Sequence, residues 1–216
     1  MIFTLEYWRK EFLLHWRQPQ KLLSILLLAT LMLTLFHFAL GARDKQEFSI
    51  GIYWVQFLII GALSLQSIMV SDERAGMSSL IKISKNSPLL VYGSRLVAIL
   101  IFWAICQGLQ LILVGILYDA RFLSELGWLF LVVIACGAGF LGLGLSVATA
   151  MSNYPFLEFI LPLVVFPMVL PIFLSGIQIF EGLLYGEPSI SPWLKLLALS
   201  DLIFVVGGGI LYYLID

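Results

Sequence analysis

Residues 126–150 read LGWLFLVVIACGAGFLGLGLSVATA, 25 positions without a single Asp, Glu, Lys or Arg. At 1.5 Å of rise per residue, a helix of that length spans about 37 Å, more than the ~30 Å hydrocarbon core of a bilayer. An uncharged run this long reads as a membrane-crossing helix. Working outward from it, five more stretches have the same character: Leu22–Leu40, Ile50–Val70 and Leu96–Leu117 before it, Phe159–Ile179 and Leu196–Ile215 after it. Backbone amides find no water in hydrocarbon, so spanning segments satisfy them internally as helices, and none of these stretches alternates with the period of two of a membrane barrel. The expectation is an all-α integral membrane protein with six transmembrane helices in a single domain, residues 1–216.

Composition agrees with that reading. The chain is 61% hydrophobic and 12% charged, whereas a soluble domain is about half apolar and about a quarter charged. Six spans and their connections use up the 216 residues, which leaves no room for a nucleotide-binding domain. A net charge of -1 without a basic patch gives no footprint for nucleic acid. Cys106 and Cys136 lie inside separate apolar runs without a CxxC or Cys/His spacing, and read as packing thiols. The first apolar run opens near Leu22, is too long for a signal-peptide core and has no small-x-small cleavage site after it, so it reads as a retained span.

Positive charges near span ends stay on the cytoplasmic side. Arg9, Lys10, Arg17 and Lys21 precede the first span, and Arg74, Lys82, Lys85 and Arg95 lie between the second and third. Against these eight stand Arg43, Lys45, Arg121 and Lys195, which places both termini in the cytoplasm. Within residues 1–21, Leu5, Trp8, Phe12 and His15 or Trp16 recur at helical spacing, with Glu6, Arg9, Lys10 and Arg17 mostly off that stripe. Two readings fit: an amphipathic helix lying in the interface, or a positively charged anchor for the first span.

The segment 71–95, SDERAGMSSLIKISKNSPLLVYGSR, is the longest cytoplasmic connection. Leu80, Ile81 and Ile83 suggest a short, partly apolar helix, Gly76 permits a sharp turn, and Pro88 closes the segment before the third span. A connection of this size is usually functional, although a solvated loop that only sets topology would look alike.

Inside the membrane, Gly137, Gly139, Gly142 and Gly144 in the fourth span and Gly207, Gly208 and Gly209 in the sixth mark close helix contacts. Pro162, Pro167 and Pro171 in the fifth each remove a helix hydrogen bond, so that span kinks or breaks and is a hinge candidate or a packing irregularity. Glu158 sits at the cytoplasmic mouth of that span. His37, near the outer end of the first span, and Asp201, about a turn and a half inside the outer end of the sixth, are the candidates for a haem or pathway contact. No paired carboxylates, GxSxG, HExxH, Walker lysine motif or dinucleotide fingerprint occurs. The sequence thus predicts no catalytic residue, no metal site and no cofactor bound by this chain.

Taken together, the basic N-terminus, the six spans and the charged loop Ser71-Asp72-Glu73-Arg74-Ala75-Gly76, followed by Leu80, Pro88 and Arg95, resemble the membrane subunit of an ABC-2-type exporter. More narrowly, the chain resembles the haem exporter protein B (CcmB) family, the permease-like subunit of bacterial cytochrome c maturation. Gly51-Ile52-Tyr53-Trp54-Val55, the Asp72 to Gly76 spacing with Leu80 after it, and Leu161-Pro162-Leu163 through Pro167 to Pro171 carry that resemblance from about Ile50 to Gly176. Gln66 stands where members often have an acid, Lys85 near an expected Pro, and Arg95 at an expected Lys.

The resemblance implies a permease of the bacterial inner membrane in which Asp72, Glu73, Arg74, Gly76, Met77, Leu80 and Arg95 contact a separate cytoplasmic ATPase. It also implies a homodimer, other cytochrome c maturation subunits as partners, ATP used through the partner, and haem as the candidate substrate. The alternatives are a permease for another amphipathic substrate, such as a drug or lipid-linked glycan, and a non-transporting membrane scaffold.

Overall fold

The computed structural model describes residues 19–40, 44–75, 88–150, 165–186 and 189–215, with the backbone alone described at 19, 21–22, 44–45, 67–75 and 215. The amphipathic N-terminal stretch expected over residues 1–21 lies almost wholly outside them. Among the described residues every regular element is a helix. In chain order these are α1 (Pro19–Ala39), the short α2 (Asp44–Glu47), α3 (Ser49–Ala75), α4 (Pro88–Leu117), the short α5 (Arg121–Ser124), α6 (Leu126–Ala150), α7 (Leu170–Tyr185) and α8 (Ile190–Ile215).

Four of them are long and apolar enough to cross a bilayer unaided: α3 over Ser49–Gln66, α4, α6, and α8 over Ile190–Leu214. The apolar part of α1, Leu23–Ala39, and α7 are shorter. The 16 residues of α7 rise about 24 Å, less than the hydrocarbon thickness. A helical turn at 165–168 leads into α7, and the bonds from Val169 N to Val165 O and from Phe173 N to Val169 O, each 3.1 Å, carry the ladder across the junction.

Two helices begin earlier than hydropathy suggests. α4 starts at Pro88, eight residues before the apolar run at Leu96, and α8 starts at Ile190, six before Leu196. The first amides of a helix have no intrahelical partner, so Pro88 as first residue of α4 and Pro192 as third of α8 sacrifice no bond, and proline's fixed φ already suits a helix.

The uncharged helix α6 is the centre of the bundle. It packs against α3, α4, α7 and α8, and 72% of it is buried, against 22% of α8. Its glycines receive knobs from its neighbours: the Trp103 ring of α4 lies where a Cβ of Gly137 would be, and Leu65 of α3 lies over Gly144. On α8, a Cβ at Gly208 would stand 3.0 Å from the Gly142 carbonyl oxygen, so these two backbones approach as only small residues allow. Of the glycines expected to mark close contacts, 137, 139, 142 and 144 on α6 and 208 on α8 are tightly covered, Gly209 lies at ordinary contact distance from Leu89 and Tyr92, and Gly207 has no neighbour within 4 Å. α1 lies at the side, packed on α3 and α4, with Leu23, Leu27, Leu31 and Leu35 exposed as a lipid-facing surface requires.

Candidate functional site

The residues expected to meet a partner divide between two helices. Asp72, Glu73 and Arg74 form the last turn of α3, which ends at Ala75. Gly76, Met77 and Leu80 lie outside the described residues. Arg95 is not part of a loop: it lies two turns inside α4 and is buried, only 5% exposed, beside the buried Val91, Tyr92 and Ser94. The early start at Pro88 is the reason, because it draws residues 88–95 into the helix and turns Arg95 into the bundle.

Tyr92 holds this end together. Its hydroxyl lies 3.1 Å from the carbonyl oxygen of Gly142 on α6 and 3.3 Å from that of Val205 on α8, and its ring meets Tyr212 at 5.5 Å. One side chain of α4 thereby ties α6 and α8 close to where α3 and α4 emerge.

Of the three prolines, Pro162 lies outside the described residues, Pro167 is exposed on the turn 165–168, and Pro171 is second in α7. Pro171 has no N–H to donate to the Pro167 carbonyl, so the ladder that runs from the turn 165–168 into α7 lacks one bond there. The backbone departs from helix just before it, at Val169 with φ -88° and ψ 1°, and the Ser175 hydroxyl donates to the Pro171 carbonyl at 2.7 Å.

Asp201 lies eleven residues into α8, about three turns from its start, and thus deeper than the turn and a half expected from the apolar run alone. The six additional residues at the front of α8, Ile190 to Lys195, account for the difference. Its Oδ1 is buried over Gly139 of α6, beside Ile172 of α7, and has no hydrogen-bond partner. Any side chain at position 139 would occupy the space of the carboxyl. His37 is half-buried near the end of α1, edge-on to Tyr118 at 5.6 Å and to Phe38 at 5.7 Å. The structure does not bring His37 and Asp201 together: His37 belongs to the end formed by Tyr118, whose hydroxyl donates to the Leu33 carbonyl at 2.6 Å, while Asp201 is deep in the bundle. Among the described residues no group of three His, Cys, Asp or Glu side chains is placed to hold a metal ion.

A polar cap closes the His37 end. Asp119 Oδ1 accepts from the Arg121 backbone N–H at 3.0 Å, its Oδ2 accepts from the Tyr185 hydroxyl at 3.2 Å, and the Arg121 guanidinium lies 4.9 Å above the Tyr185 ring. Connections that are far apart in the sequence are fixed together there.

A model of the CcmB protein family matches residues 2–207. The chain belongs to the CcmB family. The resemblance carried by Gly51 to Val55 and by Asp72 to Gly76 thus extends over nearly the whole length. A search of curated proteins returned no match. Membership makes the chain a membrane permease component of the ABC-type system for cytochrome c maturation, with haem transport as its setting. The multi-pass character of this chain follows from its apolar helices.

Sequence reasoning missed one group of polar residues in this CcmB chain. Gln56 of α3 and Gln107 and Gln110 of α4 are 0 to 1% exposed inside the membrane-spanning bundle. The signal was present: Trp103, Gln107 and Gln110 recur at i, i+4 and i+7, one polar stripe on the apolar stretch 96–117.

Proposed function

We propose that this chain is the six-span permease subunit that couples ATP hydrolysis by a separate cytoplasmic ATPase to haem export or haem hand-over in c-type cytochrome assembly. In this reading it does no chemistry of its own and binds no cofactor, sits in the bacterial inner membrane with both termini in the cytoplasm, and works as a homodimer. Asp72, Glu73 and Arg74, with Gly76, Met77 and Leu80 after them, form the ATPase contact, and Arg95 anchors the returning helix inside the bundle.

The observation that supports this reading is the length of α3. Its 27 residues rise about 40 Å, roughly 10 Å more than the hydrocarbon core, and its apolar part ends at Gln66. The charged turn that carries Asp72 to Arg74 is therefore one rigid piece with Trp54 and Phe57, which pack on Phe173 of α7 at 5.5 and 5.3 Å. Displacement of that turn by the ATPase shifts the α3–α7 packing, and nucleotide biases the bundle by as much as the ATP-bound ATPase prefers one arrangement. The Val169 break beside Pro167 and Pro171 is where α7 would yield, and Asp201 and His37 are the side chains to probe for substrate contact.

The test is charge reversal of the contact turn, Asp72→Lys with Arg74→Glu, in a strain whose c-type cytochromes are measured. The variant is expected to insert and purify like the parent, while ATP-dependent output falls by about 5- to 150-fold, the usual span of a coupling energy. Normal holo-cytochrome c in a deletion strain would remove haem as the substrate and point to a drug or lipid-linked glycan. Failure of the intact chain to co-purify with a nucleotide-hydrolysing subunit would remove coupling and leave a scaffold.

A further inference from the structure

Helices α1, α3 and α4 pack against one another in all three pairs, and amides from α3 and α4 reach α1 at their junction. The Gln56 Nε2 of α3 donates to the Ala29 carbonyl of α1 at 2.8 Å, and the Gln110 Nε2 of α4 to the neighbouring Thr30 Oγ1 at 3.4 Å, so both amides converge on one turn of α1. Gln107 is one turn before Gln110 on the same face of α4, and Trp103 one turn before that. The benzene edge of Trp103 fills the notch of Gly137 on α6, and its ring meets Phe57 of α3 at 4.8 Å, so only its indole N–H edge, on the opposite side of the ring from Gly137, is free of these contacts. The three glutamines and Trp103 are fully buried or within 1% of it.

Much of their bonding capacity is unused. Oε1 of Gln56 and of Gln110, both Oε1 and Nε2 of Gln107, and Nε1 of Trp103 have no hydrogen-bond partner. Exchanging the nitrogen and oxygen of Gln107 changes nothing, since both of its ends are unpartnered. Exchanging those of Gln56 would replace the bond to the Ala29 carbonyl by two acceptors facing each other.

The unpartnered set is mixed: three carbonyl oxygens that need donors, and the Gln107 amide and Trp103 indole N–H groups that need acceptors. A cation would serve the oxygens and leave the N–H groups bare. An anion or a carbonyl-bearing ligand would do the reverse. Water donates two hydrogen bonds and accepts two, and buried waters typically make about three bonds to groups of this kind. We propose that Gln56, Gln107 and Gln110, with Trp103, form an intramembrane binding site for a cluster of ordered water molecules between α1, α3 and α4. Through these waters α4 is joined to α1 and α3 by hydrogen bonds that can change partners.

Hydroxyl-radical footprinting of the full chain in lipid nanodiscs, in oxygen-18 water, reads such waters directly, because radicals formed at a bound water oxidise the ring beside it. Trp103 is 0% exposed, and so is Phe140 of α6, which is in apolar surroundings over Gly61 and serves as the dry reference. After correction for intrinsic ring reactivity, Trp103 is expected to take up label several-fold faster than Phe140. Gln107→Leu should bring it down to the Phe140 level, and Gln107→Asn, which keeps the amide, should retain it. Equal labelling of Trp103 and Phe140 in the parent chain would overturn the proposal in favour of amides paired directly with one another, and this comparison needs no variant to fold. Undiminished labelling in Gln107→Leu would also overturn it. A melting temperature that rises on replacing choline by sodium or potassium would assign the site to a cation instead.

Discussion

Helix α3 lies between two seams that hold by different means. Toward α6 and α7 it presents Trp54 and Phe57: the Trp54 ring meets Phe173 at 5.5 Å and Phe180 at 5.4 Å, and its far edge lies where a Cβ of Gly176 would be. Toward α1 it presents Gln56, whose amide meets the same turn of α1 as that of Gln110 on α4, one turn from the buried Gln107. Lipid tails are as apolar as leucine, so burial by itself gives helices in a bilayer little reason to associate, and close packing and hydrogen bonding must do it. The aromatic seam relies on the first and fills its own notches. The amide seam relies on the second and leaves part of its hydrogen bonding to something other than the protein.

The sharpest way to break the aromatic seam is to fill a notch. Gly176→Val puts a branched side chain where the Trp54 ring lies, with Cys136 Sγ already 3.1 Å from the new Cβ. Overpacking of this kind costs about 1–3 kcal/mol, occasionally more, and a ring this close to the new Cβ puts Gly176→Val at the upper end. A lowered midpoint of unfolding in mixed detergent micelles would record it. Trp54→Leu in the same chain should return part of the loss, with a coupling of about 0.5–3 kcal/mol. Additive losses would mean that the ring and the notch are not one contact.

The amide seam responds with a different sign depending on what fills it. Gln107→Leu removes two unpartnered groups, so a seam without water should gain stability. With water present, the leucine displaces it and strands the Gln56 and Gln110 oxygens, and a loss of about 1–2 kcal/mol is expected from the same micelle titration. A gain in stability excludes the water; a loss supports it only together with Trp103 labelling above the Phe140 level, because amides paired directly with one another would also lose stability.

The two seams were unequally legible in the sequence. The run 126–150 carries no charge, and the central helix α6 covers the same residues, because a wholly apolar helix must be a buried or lipid-facing one. Glycines at 137, 139, 142 and 144 could be read as contacts for the same reason. Hydropathy marks where a helix is apolar and not where it begins, so the mixed starts PLLVYGSR and ISPWLK looked like connections and Arg95 like a loop residue. Three glutamines scattered over two apolar runs barely change the hydropathy, and only their spacing on α4 betrays a common face. That Gln56 faces Ala29, or that Asp201 lies over Gly139, depends on which helices become neighbours, and no single stretch encodes that.

The end of the bundle with Asp119 offers the smallest effect and the cleanest control for the amide seam. Its polar groups are satisfied by protein: Asp119 accepts from the Arg121 N–H and from the Tyr185 hydroxyl, and Tyr185 is 41% exposed, so bulk water can reach it. Tyr185→Phe removes one hydroxyl and leaves Asp119 its 3.0 Å bond to Arg121, and the ring remains under the guanidinium. Solvent can replace the lost donor at once, so the expected loss is about 0.5–1 kcal/mol in the same titration. If instead Tyr185→Phe cost as much as Gln107→Leu, access to bulk water would not be what separates these two sites, and a bound cluster between α1, α3 and α4 would no longer be needed to explain why Gln107→Leu is costly.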